Sequence, residues 1–367
     1  MRLLHVVPTY LPATRYGGPI VAVHGLCKAL AARGHEVHVF TTNVDGRGVS
    51  DVPLRRPIEM DGVQVHYFSS PFPRLYWSPS MGRALRDVRS FDVVHLHSVF
   101  LWPTFAAARA AHQAQVPYVI TPRGMLVPEL IRRKSRRVKS AWLRLVERRS
   151  FADAAAIHFT SHRELQDAQG VGLPMPHPSV VPNGIDLAAR PDVPREAGTI
   201  AFLGRINWKK GLDRLIDTLP DGARLLIAGN DEENLTPRLR KLAEGKDVEF
   251  LGPVHGEAKW ELLARATIFA LPSLSENFGN AVVEAMMMET PVVLSPEVGL
   301  AEHVAFANAG VMADDFRAAL TSLLHDAPRR EELGRNGRAL VERELTWPRV
   351  AAQMEEVYER CSTTSRR

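Results

Sequence analysis

At 367 residues the chain is too long for one ordinary hydrophobic core and predicts two domains of about 150–200 residues each. Its 45% hydrophobic and 24% charged residues exclude a disordered chain, and its two cysteines, Cys27 and Cys361, exclude a disulfide framework or a cysteine zinc site and fit a reducing compartment. The net charge of +5 divides unevenly: residues 1–190 carry +11 and the remainder −6, so the first half should be drawn to anionic partners.

The opening MRLLHVVPTYLP turns polar at once and reads as a first strand, not a signal peptide. No stretch approaches the ~18 apolar residues of a membrane span, so a cytoplasmic protein is expected. LLHVV (3–7), HEVHVFTT (35–42), VQVHYF (63–68), DVVHLH (92–97) and PYVIT (117–121) read as strands. Between the first two lies PIVAVHGLCKALAARG (19–34), with Pro19 in its first turn and Gly34 just past its last. The alternation breaks at VVPNGIDLAARPDVPREAG (180–198) and resumes with TIAFLG, ARLLIAGN, DVEFLG, ATIFALPS and PVVLS, each followed by a helix. Such alternation predicts βαβ units and parallel sheets. The fold class expected is α/β, with two doubly wound Rossmann-like domains at 1–186 and 199–346, a linker at 187–198, and a helix at about 347–361 packing back on the first domain. Ligands of such sheets bind beyond the carboxyl ends of the strands, here expected to face each other across a cleft.

Several motifs fall at those strand ends. Gly17 and Gly18 follow the first strand, where a glycine turn lets the backbone approach an anion; the sequence is not G-x-G-x-x-G, which disfavours a nicotinamide cofactor. His95 and His97 share one face of a strand, with His97 at its carboxyl end; no acidic or cysteine partner with metal spacing accompanies them, so no metal and no cofactor are expected. In AFLGRINWKKG, Arg205 and Lys210 frame a turn before a helix and together suit a diphosphate. In SENFGNAVVEA, Glu276 and Glu284 flank an Asn-Phe-Gly-Asn turn. Were that stretch helical throughout, they would stand about 12 Å apart along the axis, too far to act together on one bond and suited to hydroxyls at two ends of one ligand.

ENFGNAVVE, with GRINWKKG, VPNGID and HLH, resembles the family-4 retaining glycosyltransferases of the GT-B fold, whose signature is E-x7-E. TPRGMLVPEL and LTWPRVAAQMEEVY are similar to members that build bacterial surface polysaccharides. The resemblance implies that Glu284 holds the ribose of a nucleotide-sugar and that Glu276, with the backbone of Phe278, Gly279 and Asn280, holds the donor sugar. Arg205 and Lys210 would bind the diphosphate of a UDP- or GDP-sugar, the Gly17–Gly18 turn would close over it, Val254 would meet the base through its backbone, and His97 would contact the sugar. Arg123, at a strand end of the basic half, is an expected acceptor contact. Glu289 stands where the family usually has Gly. The implied reaction moves a hexose to a glycan or polyprenyl-diphosphate-linked acceptor; a GT-B nucleotide-sugar epimerase is the alternative, and it lacks a visible acid/base set.

Residues 132–149, RRKSRRVKSAWLRLVERR, hold nine Lys/Arg and one Glu, with Val138, Trp142 and Leu145 at i, i+4 and i+7. An amphipathic basic helix docking on an anionic inner leaflet is one reading and a solvated helix face the other. Nucleic acid is disfavoured because aromatic residues do not interleave with the charges.

Overall fold

The structure is a computed structural model that describes residues 1–13, 17–46, 48–54, 56–133 and 136–364. They form two compact units: Met1–Gly184 with the segment from Trp347 onward, and Ile185–Thr346.

The first unit contains β1 (Arg2–Val7), β2 (Glu36–Thr42), β3 (Ile58–Met60), β4 (Val63–Phe68), β5 (Val93–His97), β6 (Tyr118–Thr121), β7 (Ala156–Phe159) and β8 (Pro178–Val180). They form one sheet in the order β8-β7-β6-β5-β1-β2-β4-β3, parallel except for the pairing of β3 with β4. Central strands are covered on both faces, and β5 is buried at every position, its two histidines included. Nearer the edge, VQVHYF in β4 alternates buried with half-buried side chains. The sequence reading missed β3, β7 and β8, which are three or four residues long and too short to show a period.

One face of this sheet packs under the helix Gly18–Ala32 and the C-terminal helix Trp347–Thr364. Val350, Met354, Val357 and Tyr358 share a core with β1 and β2 residues. The Trp347 indole lies against two glycines: a Cβ on Gly25 would sit 2.2 Å from one of its ring carbons, and on Gly184 2.5 Å. The other face packs Met81, Leu85, Ala107, Phe151 and Phe159.

The second unit contains β9 (Thr199–Leu203), β10 (Arg224–Ala228), β11 (Asp247–Gly252), β12 (Ile268–Leu271), β13 (Val292–Leu294) and β14 (Gly310–Met312). The order is β11-β10-β9-β12-β13-β14, parallel throughout, which is the doubly wound Rossmann arrangement. The stretch expected as a linker, 187–198, is bound to this unit instead. Ala188 and Val193 pack against its core, Arg190 donates to the Ala264 carbonyl at 3.0 Å, and Arg195 to that of Ala266 at 2.8 Å. Two guanidinium forks thus satisfy carbonyls at helix ends, and that ties down a segment with no periodicity of its own.

Candidate active site

In a doubly wound sheet the strand order reverses at one point, and the loops leaving the two strands there diverge to leave a ligand crevice. In the second unit that point lies between β9 and β12. Arg205 and Lys210 leave β9, and Glu276 leaves β12. The two exit loops are laced together by the Leu274 amide donating to the Lys209 carbonyl at 2.6 Å. Lys210 sits in the 3-10 turn Trp208–Lys210, which Asn207 caps by accepting from the Lys209 amide at 3.1 Å. Gly211 follows at φ 61, and a Cβ there would lie 2.3 Å from the Pro272 carbonyl oxygen, so only glycine brings the loops this close. The outcome is a direct, short ion pair between Lys210 Nζ and Glu276 Oε2.

Glu276 is not helical. Its amide donates to the Glu297 carbonyl at 3.1 Å and its carbonyl accepts from Gly299 at 2.9 Å, which ties it to the loop after β13. The helix begins only at Asn280, after Gly279 at φ 104, and runs to Met287. The 12 Å separation of Glu276 and Glu284 worked for a continuous helix therefore does not apply. The left-handed glycine starts the helix late, directly after the loop that carries Glu276. Phe278 is buried beneath.

Glu284 lies one turn into that helix, with its side chain 22% exposed and paired to Lys259 Nζ at 2.9 Å; Lys259 in turn stands 4.1 Å over the Trp260 ring. Val254 is half-buried in the loop between β11 and the helix Gly256–Arg265 and packs against the core. Arg205 pairs with Glu232 through two contacts of 3.0 and 3.2 Å. Sequence reading missed Lys259 and Glu232, which no motif marks. Each cation expected on a diphosphate thus carries a carboxylate partner.

In the first unit the reversal lies between β1 and β5, where the structure gathers four histidines. His97, expected at the carboxyl end of its strand and as a sugar contact, ends β5 as expected; it is 1% exposed, and both its ring nitrogens are engaged. The proton positions follow from groups of fixed role. Arg123 can only donate, so at 3.3 Å His97 Nδ1 accepts; His97 Nε2–H then donates to His5 Nδ1 at 3.0 Å. In the second chain the Val181 carbonyl can only accept, so His158 Nε2–H donates to it at 2.8 Å and His158 Nδ1 accepts from the Thr121 hydroxyl at 2.8 Å. Thr121 in turn accepts from His95 Nε2–H at 2.6 Å, which leaves His95 Nδ1 to accept from Tyr358 at 2.7 Å. All four imidazoles are neutral. Burial, the Arg123 charge and the neighbouring rings push His5 and His158 down to about 3, and His95 and His97 well below their ordinary value.

Arg123, expected as an acceptor contact, is turned inward: one terminal nitrogen donates to Asn183 Oδ1 at 2.8 Å and the other to His97. Its turn, with φ 55 at Arg123 and 73 at Gly124, is held by the buried Glu164 carboxylate, which accepts from the Gly124 amide at 2.7 Å and the Thr160 amide at 2.7 Å. His5, His95 and His97 offer three ring nitrogens within 4.8 Å of one another, a group that sequence spacing did not reveal. The adjacent Arg123 charge opposes a cation there. Gly17, at φ 68, caps the helix Gly18–Ala32, as a glycine turn after β1 should.

Of the expected helix over 132–149, residues 136–149 are helical without a break, through Arg136–Trp142, a π-helical turn Leu143–Glu147 and Arg148–Ala152; Lys134 and Ser135 lie outside the described residues. Glu147, the one acid of the stretch, is buried and accepts from the Phe100 amide at 2.7 Å and Trp142 Nε1 at 2.8 Å. Turning it inward widens the helix locally. Val138 and Leu145 remain 70% and 76% exposed. No helix among the described residues is long and apolar enough to cross a membrane.

Two Rossmann-like α/β units, each with a parallel doubly wound sheet, are the architecture of the GT-B class of glycosyltransferases. Residues 17–184 match the family described as Glycosyl transferase 4-like domain, and residues 187–340 match Glycosyl transferases group 1. The chain belongs to the family-4-like glycosyltransferases. It is 29% identical to a glycogen synthase of Mycobacterium tuberculosis, over 98% of this chain and 94% of that protein. It is also 29% identical to a phosphatidyl-myo-inositol mannosyltransferase of Mycobacterium leprae, over 95% and 94%. Among solved structures, Anabaena HepE in complex with UDP-glucose superposes with a TM-score of 0.74 at 19% identity, covering 99% of this chain and all of that one.

Proposed function

We propose that this glycosyltransferase is a retaining, metal-independent hexosyltransferase, working from a UDP- or GDP-sugar onto a glycan or polyprenyl-diphosphate-linked acceptor of a cell-surface polysaccharide. The observation that carries the reading is the Lys210–Glu276 pair held at the switch point of the second sheet beside a helix N-terminus. Cleavage of the anomeric C–O bond leaves a nucleoside diphosphate with added negative charge. Lys210 and Arg205 meet that charge, and the diphosphate competes with Glu276 and Glu232 for them. A donor aimed at developing charge contributes on the order of 3 kcal/mol in comparable sites, so two cations and the helix amides suffice without a metal. Released from Lys210, Glu276 accepts hydrogen bonds from the sugar hydroxyls, and Glu284 does the same for the ribose. The relatives' names, a glycogen synthase and a mannosyltransferase, and the UDP-glucose held by HepE support a nucleotide-hexose donor.

No carboxylate is needed as a nucleophile: the acceptor attacks from the face the leaving group vacates, and the departing phosphate takes its proton. NMR of the first product decides it: an unchanged anomeric configuration is expected, and an inverted one would sink the mechanism. The exposed cations and the exposed Val138 and Leu145 of the stretch 132–149 support a cytoplasmic enzyme that docks on the inner face of the plasma membrane. Binding to anionic liposomes should fall when Arg132–Lys139 are neutralised, and undiminished binding would refute the docking.

A further inference from the structure

In the first unit, away from the histidine cluster, a groove of about 550 Å³ runs between the 3-10 helix Leu85–Ser90 and the helix Trp102–Ala114. That volume is within the range of sites that hold small organic ligands. Its lining divides by chemistry. Leu85, Trp102 and Phe105 supply apolar surface, whereas Arg86, Arg89 and Arg109 are exposed. None of the three arginines forms an ion pair among the described residues, and Asp87, the one carboxylate of that turn, is not part of the lining. Three uncompensated guanidinium groups beside an aromatic wall make an amphiphilic site of positive sign.

The groove is also continuous with the basic stretch. The Phe105 ring meets Trp142 edge-on at 6.1 Å, and Lys139 stands 5.7 Å from the Phe100 ring just before the helix. We propose that this groove binds a single phosphate-bearing lipid, its headgroup on Arg86, Arg89 and Arg109 and its chain along Leu85, Trp102 and Phe105. The charge of the arginines selects the phosphate, and the aromatic wall selects the chain over a free anion. The proposal does not require sugar transfer.

The test is calorimetric titration of the full chain with dioctanoyl phosphatidylglycerol kept monomeric below its micelle concentration, with inorganic phosphate as the free-anion arm. The wild type should bind the lipid, and inorganic phosphate should bind at least tenfold more weakly. Arg86→Glu with Arg109→Glu should weaken lipid binding at least tenfold. Ala110→Trp, which fills the groove without touching its charge, should do the same, with melting temperatures confirming that both variants fold. No binding by the wild type, equal binding by either folded variant, or phosphate binding as tight as lipid would overturn the proposal.

Discussion

Acid should unfold the first unit before the second, because only the first buries neutral histidines. An unfolded histidine titrates at about 6.5, whereas burial and the Arg123 charge hold His5 and His158 at about 3. Between these values the unfolded chain binds protons that the folded one refuses, so stability is intact above pH 6.5 and is lost as pH falls toward 3. At pH 5 each such group costs about 2 kcal/mol by linkage, or about 4 kcal/mol for the pair. His95 and His97 are depressed in the same direction and add to the loss. Glu147 and Glu164, raised by burial, act in the opposite sense and gain stability on protonation, which tempers the fall. Against a total of typically 5–15 kcal/mol the net loss is large.

Hydrogen exchange read by mass spectrometry resolves the two units. After correction for the intrinsic rate, peptides covering β1 and β5 should exchange several hundredfold to a thousandfold more readily at pH 5.0 than at pH 6.5. Those covering β9 and β12 provide the control, because His255, His303 and His325 of that unit are all exposed. Equal changes in both units, or less than about 1 kcal/mol in the first, would refute the assignment of four neutral buried imidazoles.

Other expectations concern the second unit and the C-terminal helix. Glu284→Ala should abolish the rise in melting temperature that UDP or GDP gives the wild type while lowering unliganded stability by under about 1 kcal/mol, since its pair with Lys259 is partly exposed; a retained nucleotide shift would rule out the ribose role. Gly211→Ala places a Cβ against the Pro272 carbonyl in a left-handed conformation and should cost at least about 2 kcal/mol in urea unfolding, with loss of nucleotide binding. Gly25→Ala should push the Trp347 indole off its seat and lower stability by about 2–4 kcal/mol, seen as a change in tryptophan emission and a lower melting temperature. A wild-type spectrum would mean that the seat is loose.

The local chemistry of the second unit's site was legible because it lies within short stretches of chain. Strand periodicity, the glycine before Leu212 and the ENFG turn each declare a strand end or helix start through backbone demands that only certain residues meet. The helix start at Asn280, directly after that turn, is part of what the stretch declares, with Gly279 at φ 104 before it. The pairing of Arg205 with Glu232 was not legible, because the two stand 27 residues apart.

The sequence by itself determined where the strands, the glycine turns and the charged residues fall, because pleat alternation, left-handed backbone and charge balance are properties of neighbouring residues. Only the tertiary structure decided which of them meet. His5, His97 and Arg123 converge from three neighbouring strands and their exits. Tyr358 reaches His95 from 263 positions away, and Glu164 fixes the Arg123 turn from the far side of β7. A buried polar group must find a partner wherever the fold brings one, and no spacing along the chain encodes that choice.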